Sequence, residues 1–75
     1  MRFFFNIVEG SVEIGDPEGS DLPSQEAAQT EARAIAIELA QEFPGRFGHN
    51  SLVEALTETG KRIFAVRIPI EANAF

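Results

Sequence analysis

The stretch from Ser24 to Phe43 constrains this chain more than any other. With residues placed ~100° apart, Ala28, Ala32, Ile35, Ala36, Leu39 and Phe43 fall on one narrow arc, the pattern of an amphipathic helix. Small residues come first and large ones last, so such a helix can approach a sheet closely at its start and fill a wider space at its end. Glu26, Glu31, Arg33, Glu38 and Gln41 fall outside the arc. Ser24 is placed to accept from the free N–H groups of the first turn. Pro23 disfavours an earlier start, Glu26 suits the positive end of the helix dipole, and Pro44-Gly45 cannot continue the helix. Ile37 lies roughly opposite the arc, a single exposed aliphatic of a kind common on protein surfaces.

The rest of the chain reads as strand and turn. Arg2 to Glu9 alternates Phe3, Phe5 and Ile7 on one face with Phe4, Asn6 and Val8 on the other. Consecutive aromatics favour strand over helix. Gly10-Ser11 turns the chain into a short strand, Val12 to Ile14, closing a first hairpin. Gly15 to Asp21 is a loop by its turn chemistry, and Pro44 to Asn50 is a second, in which Phe47 is expected to anchor against the core. Leu52 to Glu58 and Lys61 to Ile70 form a second hairpin about Thr59-Gly60. A two-residue turn sets Glu58 opposite Lys61, and then Ala55 opposite Phe64 and Val53 opposite Val66 on one face. Leu56 opposite Ile63 and Leu52 opposite Arg67 follow on the other. The first face, extended by Ile68 and Ile70 and joined by Phe5 and Ile7, is the expected core face.

The order is therefore β-β-α-β-β, an α+β two-layer domain with one helix packed on an antiparallel sheet. At 75 residues it is a single domain spanning positions 1–75. A core of this size rarely supplies more than ~3–5 kcal/mol. The chain has no cysteine to staple it, and assembly with another chain is the expected supplement. The second sheet face would carry Phe4, Val8, Leu52, Leu56 and Ile63, which is apolar for a face that antiparallel sheets often leave to solvent. Those residues form one patch only if the first strand lies beside the last hairpin. Only the tail Glu71 to Phe75, through Phe75, remains in the chain to cover it.

Composition excludes several classes. The net charge of −6 makes nucleic acid a poor partner and a cationic protein surface a better one. No run approaches the ~20 apolar residues that span a bilayer, and the apolar start Phe3-Phe4-Phe5 is too short for a signal peptide. A cytoplasmic location is the resulting expectation.

Motifs that carry chemistry are weak. Asp16, Glu18 and Asp21 share a loop with Glu13 nearby, but their spacing does not match a calcium loop and Pro17 restricts it. Turn formation and helix N-terminal charge explain them better. His49 is the lone histidine, beside Asn50 and Ser51, with no second histidine or cysteine and no nucleophile elbow. The glycines are dispersed turn residues and none builds a phosphate-cradling loop. Gly45-Arg46-Phe47-Gly48 is faintly like an arginine-aromatic RNA-binding segment, and Phe4 with Arg67 like a base-stacking platform. In an acidic chain both are better read as structure. No catalytic residue, cofactor or metal ligand is assigned.

Several segments together resemble a family. Arg2-Phe3-Phe4-Phe5-Asn6 resembles an R-[YF]-F-F-[DN] opening, and Asp16 to Pro23 resembles D-x-E-G-x-x-L-P. Glu26-Ala27-Ala28 with Glu31-Ala32 resembles a helical E-A-A-x-x-E-A run. A final hairpin with Gly60 before an apolar strand ending at Ile68-Pro69 fits as well. The chain is similar, over nearly its whole length, to small, mostly alphaproteobacterial proteins known only as a domain of unknown function. That resemblance implies a bacterial domain of about this length and transfers no activity.

The expectation is a non-enzymatic interaction module, homodimeric or bound to a protein partner, with Phe4, Leu52, Leu56, Ile63 and Ile37 as candidate interface residues. The alternative is an antitoxin-like or regulatory protein that neutralises a basic partner by charge complementarity.

Overall fold

A computed structural model describes residues 1–70, and the tail from Glu71 to Phe75, expected as the one segment able to cover the second sheet face, lies outside the described residues. The chain runs through β1 (Arg2–Glu9), β2 (Val12–Ile14), β3 (Ser20–Asp21), α1 (Gln25–Glu42), β4 (Ser51–Leu56) and β5 (Arg62–Arg67). The strands form one antiparallel sheet in the order β2-β1-β4-β5, with β3 also paired to β1. The helix lies on one face, over β4 and β5. This is the α+β arrangement expected from the sequence, with β3 as an addition inside the first loop.

The helix ends where its cap residues say it should. Ser24 has extended backbone angles, and its Oγ accepts the Ala27 N–H at 3.1 Å. At the other end the Phe43 N–H donates to the Leu39 carbonyl. Ala28, Ala32 and Ala36 are 0%, 0% and 2% exposed, so the alanine stripe is the line of closest approach to the sheet. Phe3, Phe5, Val53, Ala55 and Ile68 complete the buried core, and Ile35, Leu39, Phe47, Phe64 and Val66 pack around it, partly buried. Two residues assigned to the core face are not in it. Phe43 is half-exposed, since it caps the helix with non-helical angles and leaves the arc. Ile70 is also half-exposed, because β5 ends at Arg67 rather than continuing to Ile70.

The second hairpin departs from the two-residue turn. The Thr57 N–H donates to the Lys61 carbonyl and the Gly60 N–H to the Thr57 carbonyl, both at 2.9 Å. Glu58 therefore sits in the loop rather than opposite Lys61. Gly60 has φ +87°, the left-handed conformation that closes a three-residue hairpin loop. Val53 opposite Val66, Ala55 opposite Phe64 and Leu52 opposite Arg67 stand as expected, but Leu56 pairs with Arg62. A bulge between these registers leaves Ile63 without a cross-strand partner. Ile63 packs against the core cluster instead of joining the opposite face.

The edge beyond β1 is made of three pieces. β2 pairs with residues 7–9 and β3 with residues 2 and 3. Across the gap the Asp16 carboxylate accepts the Phe5 N–H at 3.1 Å. The second loop is tied down as well: Arg46 makes a two-pronged ion pair with Glu9, and the Gly10 N–H donates to the Asn50 carbonyl.

Candidate functional site

The sheet face away from the helix carries the candidate surface. Because β1 lies beside β4, Phe4 pairs with Leu56 and Val8 with Leu52, so these four residues share that face. The condition for a common patch is met by the strand order. The patch is not continuous, however. Between the two apolar pairs, Asn6 pairs with Glu54, which in turn pairs with Ala65. Glu54 is only 8% exposed, and its carboxylate lies 4.0 Å from the Arg62 guanidinium. Asn6 donates to the Glu13 carboxylate at 2.7 Å and accepts the Asp16 N–H at 3.0 Å.

This polar row decides what the face can do. Flat packing of one sheet on another would strip water from the exposed charges of Arg62 and Glu13 that partner Glu54 and Asn6, and burying a charge is costly unless every partner is supplied. The usable apolar surface is therefore the end that holds Phe4 and Leu56. There the sheet floors an open groove of about 550 Å³. Gly15, Asp16 and Pro17 form one wall, and Thr57, Glu58 and Gly60 form the other. Phe4 is held in place by the loop, since Gly19 comes so close that a Cβ there would lie 2.8 Å from its ring.

Asp16 builds the first wall. Burial alone would raise its pKa, but backbone N–H bonds from Phe5, Gly19 and Glu18 outweigh it, and the carboxyl is held below its ordinary value. The acidic loop thus follows the turn-forming alternative: its central carboxylate is spent on backbone donors. Arg2 reinforces it by donating to the Glu18 carbonyl at 2.8 Å and pairing with Asp21.

The other sequence candidates disperse. Ile37 is half-exposed on the outer side of the helix, far from this groove in the fold's two-layer order, and Leu52 lies beyond the polar row. Arg46 is held by Glu9 and stacks over Phe47 at 5.0 Å, so the Gly45–Gly48 segment is a built loop. His49 is exposed in the same loop. Among the described residues no three His, Cys, Asp or Glu side chains converge as a metal-holding group. Among the same residues no helix is long and apolar enough to cross a membrane.

Two features escaped the sequence reading. One is the burial of Glu54, whose alternation with Leu52 and Leu56 was the available signal. The other is the role of Thr57, Glu58 and Gly60 as a wall, which depends on the loop type. Residues 2–69 match the model of a family described as a domain of unknown function (DUF6894), and the chain belongs to that family. No curated protein and no solved structure matches it.

Proposed function

We propose that this member of the family is a protein-interaction module whose groove at Phe4 and Leu56 takes a segment of a basic partner. The observation that carries this is the groove itself: an apolar floor at one end of the sheet face, set off by the Asn6–Glu54 polar row from the Val8–Leu52 pair, with Asp16 and Glu58 in its walls. An apolar side chain of the partner would bury against Phe4 and Leu56, gaining on the order of 25 cal/mol per Å² removed from water. A flanking Lys or Arg would meet the exposed Glu58 and the acidic field of a chain of net charge −6. Such a module is non-enzymatic, bacterial and cytoplasmic, and it unites the interaction role with the neutralisation of a basic partner.

A random peptide library displayed on phage and panned against the wild type and a Leu56→Lys variant tests the proposal. Peptides that combine a large apolar residue with Lys or Arg should be enriched on the wild type, should bind more weakly as salt rises, and should be lost on the variant. Enrichment of peptides that bind both proteins equally, or no enrichment at all, would overturn it.

A further inference from the structure

The charges of this chain are sorted across its sheet. Arg2 and Arg46 are engaged by Asp21 and Glu9. The other four of the six basic residues gather at the β5 edge. Lys61 precedes the strand, Arg62 opens it with Glu54 4.0 Å away, and Arg67 closes it, while the Arg33 guanidinium lies 4.9 Å over the Phe64 ring. At the opposite edge stand Glu13 on β2, Asp16 and Glu18 in the loop, and Asp21 on β3. Among the described residues both β2 and β5 end the strand order, so each presents backbone groups with no strand beside them there, a template for another strand.

The side chains of the two edges also match face by face. Ile14 pairs with Ile7, which packs against the core, so Val12 and Ile14 lie on the helix side, where they are 57% and 46% exposed. Phe64 and Val66 lie on that same side of β5. Glu13 shares the far side with Val8, as Arg67 shares it with Leu52.

We propose that the β5 edge docks the β2 edge of a second copy of this chain, extending the sheet from molecule to molecule. Every pairing in the sheet is antiparallel, so β5 runs parallel to β1 and opposite to β2. A neighbour set alongside in the same orientation therefore brings β2 antiparallel to β5 and keeps both helices on one side. In the register that sets Glu13 opposite Arg67 as a cross-strand pair, Ile14 lies opposite Val66 and diagonal to Phe64 on the helix side. A two-fold pairing of β5 with itself is worse, since it sets one cationic strand against another. The contact is heterologous, so it propagates beyond two copies.

Sedimentation velocity over a concentration series tests this, with circular dichroism to check folding. At low ionic strength the wild type should grow beyond two chains, and at about 1 M salt, where the Debye length falls to ~3 Å, it should dissociate. Arg67→Glu and Glu13→Arg should each be folded and monomeric, because each sets like charges against one another where residues 13 and 67 meet. Their equimolar mixture should assemble again, since every β5 edge then finds an opposite β2 edge. A wild type that stays monomeric or stops at two copies would overturn the proposal. So would variants that assemble as well as the wild type, or a mixture that stays monomeric.

Discussion

The Asp16 carboxylate accepts the Phe5 N–H at 3.1 Å, at the one place along the outer edge of β1 where neither β2 nor β3 supplies a strand. A side chain there completes the hydrogen bonding that backbone provides elsewhere. The same carboxylate also takes the N–H groups of Glu18 and Gly19 and so shapes the loop that walls the groove.

Asp16→Asn should therefore destabilise the domain by about 1–3 kcal/mol near neutral pH, since the amide cannot accept every donor and leaves part-buried N–H groups unpaired. The effect has a defined pH sign. The folded carboxyl titrates below its ordinary value of 3.8, so its contribution is present above that pH and is lost as pH falls through the folded pKa. Urea denaturation of wild type and variant should show the difference at neutral pH and convergence in acid.

Gly19→Ala should cost more than Gly60→Ala. Both glycines have positive φ, but a Cβ at Gly19 would lie 2.8 Å from the Phe3 carbonyl and the Phe4 ring, whereas nothing lies within 4 Å at Gly60. Gly60→Ala should cost roughly 1–2 kcal/mol for the left-handed backbone alone. Gly19→Ala should exceed that and shift Phe4, which thermal melts and the amide spectrum of β1 would read.

Core substitutions should rank by burial. Phe3 is 1% exposed, and Phe3→Ala should cost about 3–5 kcal/mol, comparable with the whole stability of a domain this size. Leu39 packs only partly buried against the same cluster, so Leu39→Ala should cost about 1–2 kcal/mol. Ile37, half-exposed, should tolerate alanine within about 0.5 kcal/mol. Chemical denaturation of the three variants checks the order.

Nucleic acid should not bind appreciably at physiological salt. Lys61, Arg62 and Arg67 do gather on one edge, but Glu54 lies beside Arg62 and the net charge is −6, and phosphate binding needs several free cations together. Fluorescence polarisation with labelled duplex DNA and RNA should show no salt-sensitive micromolar binding.

The residues by themselves determined the elements that rest on local periodicity. The alanine arc, the Ser24 cap and the Pro44 stop placed α1 to within a residue at either end, because capping and amphipathicity depend on neighbours three or four positions apart. Alternation likewise placed β1 and β2, whereas the expected pairing of Val53 with Val66 rested on a two-residue turn and holds because the bulge offsets the three-residue loop. Tertiary structure decided the rest. That β1 lies beside β4 follows from strands about 50 residues apart in the chain meeting over one core, and no local signal encodes it. That order makes neighbours of Phe4 and Leu56, and of Asn6 and Glu54, and so turns an expected apolar face into a groove beside a polar row. The bulge that turns Ile63 toward the core comes from the three-residue loop, and Thr-Gly alone does not distinguish that loop from a tighter turn. The sorting of cations to β5 and acids to β2 and its loop likewise exists only once strand order is set, because charge along a chain becomes charge across a sheet through long-range pairing alone.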